Sequence, residues 1–265
     1  MFDCFRKAAP KKLVNIGCGR TYHPDWENYD LAPVHPEIKK INLERSLPLP
    51  GKSYEAVYCS HVLEHLSRSR VPQVLKEFAR ILQPGGICRI VVPDLEQIAR
   101  QYVNVLEAAK NNRTEAVYQH GWLTLELFDQ MTRTWSGGFM GKWLGLAAGP
   151  IPDFISQRIG AEASRNQKPE AEEPLEFFAR LFSQPEGWSA KAELEFQGSG
   201  EKHRWMYDQI SLRQLMRMAG FAEIVVRRHN ESSITNFVSY RLDSDSEGRP
   251  RKPDSLFMEG SIPKE

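Results

Sequence analysis

"LVNIGCGRTYHPDWENYDL", residues 13–31, places two glycines directly after one apolar run and an acid at the end of the next. Leu13 to Ile16 has the length and composition of a buried strand. Gly17 and Gly19 let the backbone turn sharply after it and lie close against a ligand. Glu27 to Asp30 supplies a second strand. A dinucleotide fingerprint wants a third small residue where Tyr22 stands, so G-x-G-x-x-G is incomplete and a nicotinamide or flavin dinucleotide is disfavoured. Ten residues separate Gly19 from Asp30, whereas dinucleotide folds place their ribose-binding acid about twenty residues on. No full crossover helix fits in that space, and a truncated turn must replace it. Much of the helix dipole that would steady a pyrophosphate goes with the helix. A nucleoside ligand without phosphates loses much less.

Outward from this stretch, further strands are expected at Ile38 to Ile41, Ala56 to Ser60 and Ile87 to Val92. Between the last two, Val71, Val74, Leu75, Phe78 and Leu82 recur at helical spacing, and "QPGG" then stops the helix. The alternation predicts an α/β domain with a mainly parallel sheet over 12–94, preceded by an N-terminal arm, 1–11. From Leu95 to about Leu181 the pattern turns helical, broken by "SGG", "AGPIP" and the polar "EASRNQKPEAEEP". Residues 95–200 are therefore expected as an inserted helical lid with a flexible internal link. The core resumes over 201–242. In it "SLRQLMRMAGF" reads as a helix with a Ser211 and Gln214 capping box and Gly220 at its end, followed by strands at Ala222 to Arg228 and Asn236 to Leu242. The polar segment 243–265, with Pro and Gly, is expected to be a disordered tail.

At 265 residues the chain can bury a substantial core without staples. Its formal charge of +1, with acids and bases interleaved, implies no broad positive field for nucleic acid. Cys4, Cys18, Cys59 and Cys88 lack both C-x-x-C spacing and scaffold density, which fits a reducing cytoplasm. No window approaches eighteen uninterrupted apolar residues, and a soluble protein is expected. The stretch "WSGGFMGKWLGLAAGPIPDFI" is apolar and glycine-rich; a folded lid is the favoured reading, with peripheral membrane contact as the alternative.

Together, "VNIGCG", "WENYDL", "LERSLPLPGKSYEAVYCSHVLEHL" and "LKEFARILQPGGICRIVVPD" resemble a class I S-adenosylmethionine-dependent methyltransferase of the small-molecule or glycan type, in a branch with a shortened first crossover. The resemblance covers Lys12 to Asp94 and returns at "HRWMYDQISLRQLMRMAGF". It implies a Rossmann-like, seven-stranded, mostly parallel sheet with the last strand antiparallel, and S-adenosylmethionine across the carboxyl ends of the first strands. It also implies that Gly17 and Gly19 approach the methionyl and ribose portion and that Asp30 accepts from the ribose hydroxyls. Asn42 and Leu43 would flank adenine, and Ser60 with His61 would lie at the methionyl end. Asn42 departs from the Asp often found there, and can meet the base edge without a charge.

"SHVLEHL", Ser60 to Leu66, also matches the H-x-x-E-H zinc arrangement. It directly follows a strand at the carboxyl edge of the sheet, where Ser60 could serve as an N-cap. A zinc peptidase would need a longer helix and a third ligand, for which Glu107, Glu115 and Glu126 carry no motif. Methyl transfer to a hydroxyl needs alignment and a base. The candidates are His61, His120 and His203, of which His203 is favoured because the resemblance resumes there and Tyr207 and Asp208 lie close enough to help orient a polar acceptor; Asp94 at the end of the fifth strand either binds the acceptor or caps the next helix. The expected activity is methylation of a hydroxyl on a sugar, glycan or other small metabolite. The rivals are a non-catalytic S-adenosylmethionine-binding protein and a zinc hydrolase using His61, Glu64 and His65.

Overall fold

The computed structural model describes residues 13–146, 150–163, 173–183 and 187–264. The N-terminal arm, with Cys4, and most of the polar link expected inside the lid lie outside the described residues.

Four short strands come first: β1 (Leu13–Ile16), β2 (Glu27–Asp30), β3 (Ile38–Lys40) and β4 (Tyr54–Ser60). Helix α1 (Val71–Ile81) and strand β5 (Leu82–Pro93) complete the β-α-β unit. The described residues between β1 and β2 hold turns and bends but no helix, as the short spacing requires. Six helices follow: α2 (Leu95–Lys110), α3 (Thr114–Thr132), α4 (Gly138–Gly145), α5 (Pro152–Ile159), α6 (Pro174–Leu181) and α7 (Ala190–Gln197). The chain then returns to the sheet through α8 (Gln209–Met218), β6 (Ala222–Arg227) and β7 (Ser255–Ser261).

Among the described residues the sheet has seven strands in the order β3-β2-β1-β4-β5-β7-β6, with β7 antiparallel to both of its neighbours. The reversal of order at β1 and β4 opens a crevice at their carboxyl ends, where doubly wound sheets bind ligands. One face is packed by α1 and α8, whose Val74, Phe78, Leu212 and Met216 are fully buried against strand residues such as Ile16 and Val57. The other face is covered by Trp26 from the first crossover and by Ile234, Phe237 and Leu242 from the connection after β6. Helices α3 to α6 share an apolar cluster, with Trp122, Trp143 and Phe177 fully buried. Arg158 and Glu126 form a buried ion pair between α5 and α3, Nη2 to Oε2 2.7 Å. Trp143, Met140 and Ile155, from the stretch considered for membrane contact, are buried in this cluster. Among the described residues no helix is long and apolar enough to cross a membrane.

Four expectations are corrected. The polar segment 243–265 is no disordered tail: it supplies β7, inserted between β5 and β6. Asn236 to Leu242 is correspondingly not a strand but contains a 3-10 turn, Phe237–Tyr240. Helix α1 does end just before "QPGG", but the strand expected from Ile87 begins at Leu82, so "QPGG" lies within β5, where pairing with β4 jumps from Tyr54–Leu82 to Ala56–Ile87. The cap of α8 is Asp208, whose Oδ1 accepts from Ser211 N at 2.7 Å, while Ser211 returns a bond to Asp208 N.

Candidate functional site

The loop leaving β1 is held against the end of β2. Gly17 N and Cys18 N both donate to Tyr29 O, at 2.8 and 3.1 Å, and Gly19 N donates to Asp30 Oδ2 at 2.8 Å. Both glycines are left-handed, at φ +74 and +53, a region costly for residues with a Cβ. They differ in surroundings. A Cβ on Gly17 would lie 2.1 Å from Val62 Cγ2, whereas one on Gly19 would meet nothing within 4 Å. Gly17 lets the strand end pass under Val62, and Gly19 bares its backbone to a cavity of about 410 Å³. That cavity is also lined by Asp30, Ile41, Asn42, Leu43 and His61. The Asp30 carboxylate accepts from Gly19 N and, through Oδ1, from Ala32 N at 2.9 Å. A carboxylate offers about four acceptor positions, so two remain for ligand hydroxyls. Asn42 Oδ1 is taken by Glu44 N, 2.9 Å, leaving the amide NH₂ for a ligand.

At the end of β4, Ser60 pairs with Val91 inside the sheet and caps no helix. The residues after it form a three-residue 3-10 turn, Leu63–His65, capped by Val62 without a side-chain bond. His61 has φ +53, and its N–H donates to Val91 O at 2.9 Å. Its ring is held from both ends: Nε2 shares a hydrogen bond with Ser255 Oγ at 2.9 Å, and Nδ1 faces Glu64 Oε1 at 3.2 Å. His61 also lines two further cavities. One, of about 340 Å³, includes Asn15, Thr21, Ser60, Tyr58 and Arg251; the other, of about 240 Å³ beneath the lid, includes His65, Gln130, Arg133, Met140 and His203. Three cavities thus meet at one imidazole.

His203 arrives on an extended segment that crosses the carboxyl ends of β4 and β5. His203 N donates to Gln130 O of α3 at 2.9 Å, Arg204 N to Glu64 O at 2.6 Å, and Leu95 N to Tyr207 O at 2.9 Å. Burial pushes the His203 imidazole down to about 3, and burial likewise lowers His65. For the fully buried Glu64, desolvation opposes ionisation, but the His61 imidazole and the other two histidines outweigh it and hold the carboxyl at about 2. Burial raises the Cys18 thiol beside the glycine loop to about 11, which keeps it protonated and inert at neutral pH.

The structure brings together Gly17, Gly19, Asp30, Asn42, Leu43 and His61, and sets His203 on the far side of His61. It does not bring Asp94 to them: that carboxylate caps α2, accepting from Glu96 N at 3.0 Å and Gln97 N at 3.3 Å, and lines none of the three cavities. His120 stacks on Tyr102 within the helical insert, also away from the cavities. The H-x-x-E-H reading fails as a single-face helical site, because the turn is too short and His61 Nε2 is committed to Ser255. Glu126, named as a nominal third zinc ligand, is paired with Arg158, while Glu107 and Glu115 bond Lys110 and Gln119. Ser255, Arg251 and Lys252 escaped the sequence analysis because they lie in the segment expected to be disordered.

Residues 15–90 match the family model described as a methyltransferase domain. No curated protein sequence matches the chain. Among solved structures, an S-adenosylmethionine-dependent methyltransferase of Thermotoga maritima, described as a possible histamine N-methyltransferase, is 16% identical with a TM-score of 0.42, over 94% of this chain and 81% of that one. One from Archaeoglobus fulgidus is 10% identical, TM-score 0.40, over 95% and 86%. Another from Mesorhizobium loti is 15% identical, TM-score 0.37, over 95% and 91%.

Proposed function

We propose that the chain, whose residues 15–90 match a methyltransferase domain, uses S-adenosylmethionine to methylate a hydroxyl of a sugar, glycan or other small polar metabolite. One observation carries this reading: His61 lies where the cavity beside Gly19 and Asp30 meets a separate cavity under the lid.

The residues present fit the donor. Gly19 offers bare backbone in open space, Asp30 keeps two acceptor positions for ribose hydroxyls, and Asn42 keeps an amide NH₂ for the base edge, with Leu43 beside it against adenine. Ser60 and His61 mark the methionyl end. When bound, S-adenosylmethionine supplies an electrophilic methyl group on a sulfonium. The protein has then to hold the acceptor in line and take its proton. Alignment contributes about 7 to 11 kcal/mol and a placed base roughly 10²- to 10⁴-fold. His61 is the base in this reading: its Nδ1 faces Glu64, and its Nε2 takes the acceptor proton once the acceptor hydroxyl replaces Ser255 Oγ as its partner. The lid cavity supports a polar acceptor, since His65, Gln130, Arg133 and Lys252 face it alongside Met140, Leu144 and Ile159. Asp94 has only its capping role here.

Calorimetric titration with S-adenosylmethionine and S-adenosylhomocysteine, followed by assay of hydroxylated sugars, tests the proposal. Saturable binding of both ligands is expected, weakened at least tenfold in Asp30→Ala while its melting temperature shows the fold retained. Absence of binding by the wild-type chain would refute it.

A further inference from the structure

A polar cluster between the lid and the sheet edge is left unexplained by methyl transfer alone. Glu64 is fully buried, yet neither carboxylate oxygen has a hydrogen bond; among the described residues its ion-pair partner is His61, at 3.2 Å but outside hydrogen-bonding alignment. His65 Nδ1 is also buried and unpartnered. The His203 ring stands edge-to-face with His65, centroids 4.6 Å apart. One ligand atom from each of Glu64, His65 and His203 lies within 4.8 Å of the other two. Each orphaned buried polar group costs about 1 to 3 kcal/mol, and more when charged. Several orphans converging on one point indicate a missing positive partner.

We propose that Glu64, His65 and His203 bind a divalent transition-metal cation of the zinc class, with its remaining coordination positions open to the lid cavity. Two imidazoles and one carboxylate suit zinc and its first-row neighbours, whereas magnesium and calcium take oxygen ligands. Ligand atoms of a tetrahedral zinc site lie roughly 3.3 Å apart, so loading draws the three side chains together by rotation of their terminal torsions. The ligand set differs from that of the H-x-x-E-H pattern: His61 is outside it and His203, more than a hundred residues downstream, is inside.

The role of the cation rests on the methyltransferase reading. An acceptor hydroxyl on an open coordination position would be polarised, its proton passing to His61 while its oxygen keeps the electron pair that attacks the methyl carbon; the carbon–sulfur bond of the sulfonium breaks as the oxygen–carbon bond forms, its electron pair goes to sulfur, and S-adenosylhomocysteine leaves. The metal does not change oxidation state.

The test uses the full chain, stripped with chelator and titrated calorimetrically with zinc and cobalt(II). One equivalent is expected, with the visible absorption of low-coordinate cobalt and a zinc K-edge spectrum containing two imidazoles. His65→Ala and His203→Ala lose the equivalent and His120→Ala keeps it. The proposal is overturned by no saturable binding in the wild type, as a buried water in the cluster would give, by an edge spectrum without imidazole, or by binding unchanged in both ligand variants. If a variant unfolds, the wild-type edge spectrum decides. S-adenosylmethionine titrated into the same samples reads the methyl-transfer hypothesis separately, so either idea can fail alone.

Discussion

Gly17 and Gly19 share a backbone conformation but not a constraint, and that difference separates folding from binding within one loop. At Gly17 an added Cβ would sit 2.1 Å from Val62 Cγ2, in a core that cannot yield so much without moving the turn that carries His61. Overpacking of this kind costs about 1 to 3 kcal/mol, on top of about 1 to 2 kcal/mol for a left-handed residue with a side chain. At Gly19 only the second cost applies, because nothing lies within 4 Å. Gly17→Ala should therefore lower the melting temperature markedly. Gly19→Ala should leave it within a few degrees while weakening S-adenosylmethionine binding, because the methyl group occupies space a ligand would use. Thermal unfolding and calorimetric titration of the two variants side by side check the contrast. Equal stability losses would mean that the loop is strained uniformly.

Among the elements, the cap of α8 shows how a single side chain sets where a helix begins. Asp208 Oδ1 accepts from both the backbone N–H and the hydroxyl of Ser211, each at 2.7 Å. Losing a cap costs about 1 kcal/mol, so Asp208→Ala should destabilise by that amount at neutral pH. The Ser211 N–H holds the Asp208 carboxyl below the usual range. A depressed folded value means that the stabilisation is full above the unfolded pKa, about 4, and is lost as pH falls through the folded value. Urea unfolding at pH 7 and pH 3 should therefore show the gap between wild type and variant narrowing in acid. The sequence placed this cap three residues late, at Ser211, because Ser and Asp are near-equal cap residues and both fall in the same short stretch. Strands β1, β4 and β5 were legible because strands buried on both faces read as apolar runs. So were the glycine loop and Asp30, whose local spacing alone excludes a full crossover helix. β7 was not legible: "SLFMEGS" carries a glutamate in its centre and is flanked by proline and glycine, the marks of a solvated tail. The partner that makes that glutamate tolerable lies 170 residues away.

At the scale of the whole molecule that partner is Arg89, fully buried on the interior strand β5. Its Nε donates to Asp243 Oδ2 at 2.7 Å and its Nη1 to Glu259 Oε1 at 2.8 Å, while both terminal nitrogens reach backbone carbonyls of the connection after β6, Glu231 O at 2.9 Å and Arg228 O at 3.0 Å. One guanidinium thus gathers the start of the last segment, its strand and the connection that leads into it, which is how a polar stretch comes to lie inside the sheet. β7 in turn supplies Ser255, the residue that holds His61, so closure of the sheet and orientation of the proposed base depend on the same segment. Removing Arg89 strands two carboxylates in the interior, and breaking a buried pair in this way costs about 3 to 5 kcal/mol. Arg89→Met should therefore unfold at much lower urea. The triple variant Arg89→Met, Asp243→Asn, Glu259→Gln should recover most of the loss, because the charge then left unpaired, Arg227, is partly exposed rather than fully buried. If the single and triple variants lost the same stability, geometry rather than charge would be what anchors β7. Recovery in the triple variant would identify charge neutralisation as the condition for the chain's last strand to enter the sheet.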